Sequence, residues 1–365
     1  MKIALDGYEL GREAKGVGRV IQNLLLRLPD LLPEDEFLVY TKEKIGSQDG
    51  HRIEERILPP RGGYLRWQNG PLRRALKTAR PDILVASNYV LPLSCPWKSV
   101  LLEHDISVIS HPEWYSRKYA LSRRYLVRRS LRRADLILVS AVFVKDEIQR
   151  IFDIDRNKIK LIGYGVEDKF KRSSEARIAE WREKKGLAGK TVIGFLGSIF
   201  QRRHVPELIR AVRLRGELPE AVLYLVGEDF SGLVGSEISS LAGQGWVRWE
   251  KSLPEEELPV FYSSLDAFAY LSEYEGFGFP PLEALACGTP PVLMERGSLK
   301  EIFSGLAVMV KGPDEGEISS ALKAALSDEK KRSGILSEFE KRKPRFSWDR
   351  SARELAGLLG EMGRR

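Results

Sequence analysis

The densest run of chemistry-bearing residues is Glu275-Gly276-Phe277-Gly278-Phe279-Pro280-Pro281-Leu282-Glu283, continued by Ala284-Leu285-Ala286-Cys287-Gly288-Thr289-Pro290. It follows an apolar run at 267–271 and leads into a helix expected to begin near Pro280 or Pro281, because proline is tolerated in a first turn and Leu282, Leu285 and Ala286 share one face. Gly276 and Gly278 let the backbone bend close to a ligand, and the free N–H groups of a helix start can hold hydroxyl or phosphate oxygens. Two carboxylates flank the turn. Glu275 lies in the loop, and Glu283 is expected in the first helical turn, where the dipole favours negative charge and the carboxylate can accept hydrogen bonds from hydroxyl groups. A second candidate is the stretch Gly197-Ser198-Ile199-Phe200-Gln201-Arg202-Arg203-His204, a glycine after an apolar run and a basic pair before a helical pattern. Arg203 and the amides after Gly197 can neutralise a diphosphate, whereas a solvated helix start is the bland alternative for Arg202 and Arg203. Gly16-Val17-Gly18-Arg19 precedes a helical pattern at 20–28, and such a G-x-G by itself reads equally well as an ordinary flexible loop. Glu103-His104-Asp105 follows an apolar run at 100–102; a lone histidine is more often packed than functional.

These residues need elements to hold them. Lys2-Ile3-Ala4-Leu5, Phe37-Leu38-Val39-Tyr40, Ile83-Leu84-Val85-Ala86, Val100-Leu101-Leu102 and Leu136-Ile137-Leu138-Val139 read as buried strands, with a further strand at 158–162. Segments of helical period lie between several of them, so a parallel sheet covered on both faces follows. The pattern breaks over Glu167 to Arg182, which is polar and contains no strand pattern, then restarts at 191–197 and continues at 221–227, 267–271 and 291–294. A second doubly wound domain is therefore expected from near residue 170. Ligands in such sheets bind at the carboxyl ends of the strands, and the cleft between the two domains is the expected active site. The tail from Trp348 to Met362 has helical spacing in Ala352, Leu355, Leu358, Leu359 and Met362.

The bulk composition fits this plan. A chain of 365 residues exceeds the size at which one core stops growing, so two domains are expected. With 43% apolar and 30% charged residues it is an ordinary globular composition, and no apolar run approaches a membrane span. The N-terminal Met1-Lys2-Ile3-Ala4-Leu5-Asp6 lacks the apolar stretch of a signal peptide, which leads to the expectation of a cytoplasmic protein. Cys95 and Cys287 are far apart and expected to be reduced and half-buried, and His51, His104, His111 and His204 form no ligand cluster, so neither a disulfide nor a zinc framework is indicated. The net charge of +8 is uneven: residues 1–170 hold 30 Lys and Arg against 22 Asp and Glu, while the remainder balances. Much of the excess is in residues 115–133, with eight basic residues and no acid. Helical spacing there places Tyr115, Tyr119, Ser122, Leu126 and Arg129/Ser130 on one stripe, which either packs on the first domain or dips into a lipid interface.

The long string at 275–290 closely resembles the signature of the family 4 retaining glycosyltransferases of the GT-B fold (glycosyltransferase group 1), and the likeness extends over nearly the whole chain. The resemblance implies an α/β protein of two Rossmann-like domains facing across a cleft. The acceptor-side domain would span 1–168, the nucleotide-sugar domain 169–346, and a C-terminal helix, 347–365, would cross back to the first. It implies a donor site at Gly16, Gly18, Gly197, Ser198, Arg203, Leu253, Glu275, Gly276, Phe277, Gly278, Phe279 and Glu283. His104, Arg203 and Glu275 would be the catalytic residues, with Trp67, Asn88 and Tyr89 on the acceptor side and Gln68 beside Trp67. Two positions depart from the commonest family pattern: Ser198 stands where many members have Arg, and Arg203 where they have Lys. Asp153-Ile154-Asp155 has the D-x-D spacing of metal-dependent glycosyltransferases of another fold, but it lies in a polar stretch and reads as a solvated turn.

The expected reaction moves a sugar from a nucleotide-diphosphate sugar, with GDP-mannose the guess, to a saccharide or lipid-linked saccharide acceptor, with no cofactor and no metal. The basic stretch 115–133 makes an anionic membrane surface a possible partner; nucleic acid is not expected as one, since no recognised nucleic-acid motif is present. A nucleotide-sugar epimerase on the same plan, or a non-catalytic basic protein binding anionic lipid or nucleic acid, are the alternatives.

Overall fold

A computed structural model describes all residues except 12–15, 26, 46–52, 61, 214–217, 219–220, 233–234, 236–244 and 365. His51 and Leu26 thus lie outside the described residues. The chain forms two compact units, residues 1–165 with 345–365, and residues 166–344.

The first unit holds a parallel sheet of seven strands: β1 Lys2–Asp6, β2 Glu36–Thr41, β3 Ile53–Ile57, β4 Ile83–Ala86, β5 Lys98–Glu103, β6 Leu136–Val139 and β7 Ile159–Leu161. Their order is β3-β2-β1-β4-β5-β6-β7. The second unit holds six: β8 Thr191–Leu196, β9 Ala221–Val226, β10 Val247–Glu250, β11 Ala267–Tyr270, β12 Pro291–Met294 and β13 Val308–Val310, in the order β10-β9-β8-β11-β12-β13. Every strand pairing is parallel. Central strands such as β4, β6, β9 and β11 are buried along their whole length, because helices cover both faces of each sheet. In each sheet the winding direction reverses once, between β1 and β4 and between β8 and β11. The carboxyl ends of the strands at such a reversal diverge and leave a crevice.

Residues Trp348–Arg364 form the last helix and pack in the first unit, where Trp348 stacks on Tyr164 and the Ser351 hydroxyl donates to the Gly163 carbonyl. Among the described residues no helix is long and apolar enough to cross a membrane.

The structure differs from several sequence expectations. The first helix starts at Val17 and runs to Leu25, so Gly18 is inside its first turn and only Gly16, at φ 50°, is in the loop. Cys95 and Cys287 are buried, not half-buried. The basic helix, Arg117–Arg133, buries Ala120, Val127, Ser130 and Leu131, a face rotated from the expected stripe and sharing Ser130 with it. Ser130 anchors the buried face, accepting from the Leu91 amide at 2.9 Å and donating to the Leu126 carbonyl at 2.8 Å. Tyr119 is left exposed, along with Leu121 and Tyr125. The Asp153/Asp155 turn has structural work. Asp153 ends the helix Val142–Phe152 in a left-handed conformation, and the Asp155 carboxylate accepts from the Asn157 amide at 2.9 Å.

Candidate functional site

In the second unit, the reversal between β8 and β11 collects the predicted phosphate loop and the first carboxylate of the 275–283 string. Strand β8 is followed by Gly197, whose φ of 143° is unfavourable for any side chain, and a Cβ there would come within 2.7 Å of the Arg203 guanidinium. This close approach lets Arg203 reach across the loop. Its Nη1 donates to the Ser198 carbonyl at 2.7 Å, and its Nε and Nη2 donate to Glu275 Oε1 at 3.1 and 2.9 Å. The Tyr270 hydroxyl, from the end of β11, donates to the same oxygen at 2.9 Å, and the Tyr270 ring lies under the guanidinium at 5.0 Å. Burial works to raise the Glu275 pKa, but Arg203, Arg202 and hydrogen bonds from Ser272 and Tyr270 outweigh it and hold the carboxyl below the usual range. Glu275 is therefore ionised, and the loop carries a fixed ion pair.

The rest of the string turns into the helix Phe279–Ala286. Gly278 caps it at φ 106°, where a Cβ would run into Leu299 and Phe303. Pro280 and Pro281 occupy the first turn, as their locked φ allows. Phe277 is buried and its ring lies 5.2 Å from that of Phe279. Because the helix begins at Phe279, Glu283 falls in the second turn, not the first, and it is buried with Oε2 accepting from the Tyr262 hydroxyl at 2.7 Å. The Glu283 carboxylate is thus set by a tertiary partner and not by the helix dipole. Leu253 is part-exposed in the loop after β10, at the carboxyl end of the sheet.

In the first unit, His104 follows β5 and is buried. Its Nε2 lies 3.0 Å from the Ser87 carbonyl, an acceptor only, so Nε2 carries the proton, and Nδ1 accepts from the Tyr164 hydroxyl at 2.8 Å. Burial pushes its pKa down to about 4, so the ring is neutral. Tyr89 faces it edge-on at 5.6 Å and holds a left-handed φ of 62° in a three-residue turn closed by the Val90 amide on the Asn88 carbonyl. The Asn88 amide donates to Glu9 at 2.7 Å. Trp67 is wholly buried, its indole N–H spent on the Leu58 carbonyl, so it supports the rings of Tyr8 and Tyr64 and does not itself line a surface. Gln68 donates to the Tyr64 hydroxyl and the Val90 carbonyl.

Sequence reasoning did not single out Asp6, Tyr8, Tyr64, Arg123 or Tyr270. Asp6 ends β1 at the reversal and accepts from Tyr64 at 2.7 Å, and burial raises its pKa to about 6 against the lowering effect of that bond. For Asp6, Tyr8 and Tyr270 the available signal was topological, the position at or after the end of a central strand, whereas Tyr64 and Arg123 lie in helices. That signal needs the strand order, which a sequence does not display.

Two parallel, doubly wound sheets with a glycine–arginine loop and an ionised carboxylate at a winding reversal define a nucleotide-sugar-dependent transferase of GT-B type. Residues 14–170 match the family model for glycosyltransferase family 4, and residues 177–341 match that for glycosyl transferases group 1. The chain belongs to this family of retaining glycosyltransferases, which take a sugar from a nucleotide carrier. Among curated relatives, it is 28% identical to the O-antigen chain mannosyltransferase B of Escherichia coli, covering 75% of this chain and 73% of that one. It is 29% identical to a D-inositol 3-phosphate glycosyltransferase of Corynebacterium urealyticum, covering 65% and 59%. Among solved structures, Anabaena HepE in complex with UDP and glucose superposes with a TM-score of 0.78 at 19% identity, covering 99% of this chain and 100% of that one. WaaG, a glycosyltransferase involved in lipopolysaccharide biosynthesis, gives 0.75 at 16% identity over 98% and 99%.

Proposed function

We propose that the protein transfers a mannosyl group from GDP-mannose to a hydroxyl of a lipid-linked saccharide. The observation that carries the donor half is the Gly197–Arg203–Glu275 arrangement at the β8/β11 reversal. The bond from the anomeric carbon to the diphosphate oxygen breaks, its electron pair leaving with the phosphate. The acceptor oxygen bonds to the same face, and its proton passes to the leaving phosphate. Arg203 and the amides after Gly197 meet the growing negative charge. Glu275 holds Arg203 in place and accepts from sugar hydroxyls, beside the amides of Gly276, Phe277, Gly278 and Phe279. Glu283 takes the ribose hydroxyls, the backbone at Leu253 the base, and Gly16 with Gly18 in the helix start that follows it the donor phosphates. Asn88 and Tyr89 serve the acceptor, and Trp67 supports the rings of Tyr8 and Tyr64. With both ring nitrogens engaged, His104 acts as a fixed positioning surface and not as a proton donor.

The mannosyl assignment rests on the likeness to the O-antigen chain mannosyltransferases. A second reading, a UDP-linked glucose donor, is favoured by the ligands of the HepE structure. Thermal shift against GDP, UDP, dTDP and their sugars separates the two, followed by NMR of the product's anomeric centre. GDP-mannose is expected to stabilise most and to yield a retained linkage. A larger shift and turnover with UDP-glucose overturns the donor, and an altered sugar nucleotide formed without acceptor identifies an epimerase.

Membrane contact through the helix Arg117–Arg133 is part of the same proposal. Leu121 is 70% and Tyr125 68% exposed on it, and Arg129 donates to the carbonyls of Pro92 and Leu93, which seats the exposed Leu93 beside the helix. Apolar tips among basic side chains suit an anionic interface, to which each cation adds about 1 kcal/mol. Co-sedimentation with anionic vesicles is expected to exceed that with neutral ones and to fall steeply with salt; equal, salt-insensitive binding to both refutes the contact.

A further inference from the structure

In the second unit, Arg203 closes a short 3₁₀ turn, Gln201–Arg203, that leads into the helix Val205–Arg213. A long side chain can place its guanidinium no better than the turn beneath it is placed. Within the turn the Arg203 amide donates to the Phe200 carbonyl at 3.0 Å and the His204 amide to the Gln201 carbonyl at 3.1 Å. Those bonds shape the turn without fixing it against its surroundings. The loop after β11 supplies that restraint. The Glu273 amide donates to the Arg202 carbonyl at 3.0 Å, the Arg203 guanidinium donates to Glu275, and the His204 ring donates from Nε2 to Glu273 Oε1 at 2.7 Å. Three successive residues, 202 to 204, are thus each bonded to the segment 273–275.

His204 reaches its partner from an unusual backbone. Its φ of 47° is left-handed, a conformation uncommon for residues with side chains, and its carbonyl accepts the first bond of the helix, from the Leu208 amide at 2.9 Å. Such a conformation costs energy and persists where the surroundings hold it. Glycine takes this backbone freely, so the joint between turn and helix does not itself call for a ring. The ring is 13% exposed, with Glu273 at Nε2 and with Glu207, which also pairs with Arg210 at 3.3 Å, lying 3.6 Å from Nδ1. At 2.7 Å the bond to Glu273 is in the range of strong hydrogen bonds to a carboxylate. We propose that His204 is a positioning residue for Arg203, fastening the turn to Glu273 so that the guanidinium is held where a leaving diphosphate needs it. This deepens the functional reading above and rests on Arg203 being the cation at the phosphate.

The test uses the full chain and two readouts. Solution NMR follows solvent exchange of the Arg203 Nε–H proton, assigned by its loss in Arg203→Lys, and needs neither donor nor acceptor. Release of nucleoside diphosphate from GDP-mannose and from UDP-glucose, with water as the acceptor, gives kcat and donor KM. His204→Gly keeps the left-handed backbone and removes the ring. It should speed the exchange about tenfold and lower kcat about tenfold with KM little changed, because small displacements of a charge that acts on the transition state are felt in turnover. Glu273→Ala should do the same, and the double variant should be no worse than either single one. Glu273→Gln, which still accepts through its amide oxygen, should recover most of the kcat. Glu207→Gln alters the start of the same helix without touching the bond to Glu273, and should leave both exchange and kcat near wild type. Unchanged exchange in His204→Gly, additive losses in the double variant, or an equal effect from Glu207→Gln each overturns the positioning role. Faster exchange with wild-type kcat leaves the fastening of the turn standing and strikes instead at the reading of Arg203 as the phosphate cation.

Discussion

Truncating Arg203 to alanine removes three hydrogen bonds at once, two to Glu275 and one to the Ser198 carbonyl, from a side chain 11% exposed that faces a carboxylate 15% exposed. Two losses follow, and they can be measured separately. The leaving diphosphate loses its cation, for which the scale is roughly 10²-fold or more in kcat, or about 2.7 kcal/mol. Glu275 is left with the Tyr270 and Ser272 hydrogen bonds and the more remote charge of Arg202, and breaking a buried pair costs about 3–5 kcal/mol. The slight exposure favours the lower end, about 3 kcal/mol, which for a domain of this size lowers its Tm by roughly 6–12 °C. Steady-state kinetics with saturating donor at 20 °C, together with differential scanning fluorimetry, reads both. Adding Glu275→Gln to Arg203→Ala removes the stranded charge and should restore most of the Tm while kcat stays low. Arg203→Lys, a point charge without the fork, should fall between. The reasoning is refuted by an Arg203→Ala enzyme whose kcat lies within threefold of wild type, and equally by a double variant whose kcat recovers along with its Tm.

Other outcomes follow from the same geometry. Glu283→Ala should raise the donor KM with a smaller effect on kcat, since ground-state hydroxyl contacts are lost, and a kcat loss without a KM change contradicts the ribose assignment. Asp6 binds a proton more tightly folded, at about 6, than unfolded, near 3.8, so it contributes stability below the lower value that is lost as pH rises through 6, on the order of 3 kcal/mol. The Tm of wild type relative to Asp6→Asn should therefore fall between pH 4 and 7, and a flat difference shows that Asp6 is not so perturbed. The His104 ring, with its pKa near 4, should show no titration of its NMR resonance above pH 5; a midpoint near 6.5 contradicts its buried, neutral state. Turnover should survive EDTA, because Arg203 supplies the cation and Asp155 is engaged as a turn cap. Loss restored by Mn²⁺ or Mg²⁺ would reopen a metal role for Asp153 and Asp155.

Much of this protein is legible in local sequence, for a simple reason: buried strands and the 275–290 turn are specified by neighbours within a few residues. Runs such as 83–86, 136–139 and 221–226 read as strands because both faces are covered, which makes them continuously apolar. The three strands the pattern did not reveal, β3, β10 and β13, all lie at sheet edges, where charged residues such as Glu54, Glu55 and Arg56 blunt the unpaired side. Glycines at 197 and 278 were visible as bends, yet the reason each must be glycine lies in distant side chains, Arg203 against the first and Leu299 with Phe303 against the second. The Arg203–Glu275 pair joins residues 72 apart that meet because β8 and β11 are neighbours, a fact of strand order and not of sequence proximity. In the same way Glu283 was read as a helix-start acid, but it is fixed by Tyr262, and Trp67 was read as a lining residue, but it is buried under Tyr8 and Tyr64. The proton on His104 and the meeting of His204 with Glu273 depend on how the elements pack. Desolvation and the available partners are set by the whole unit, so only the tertiary structure decides them.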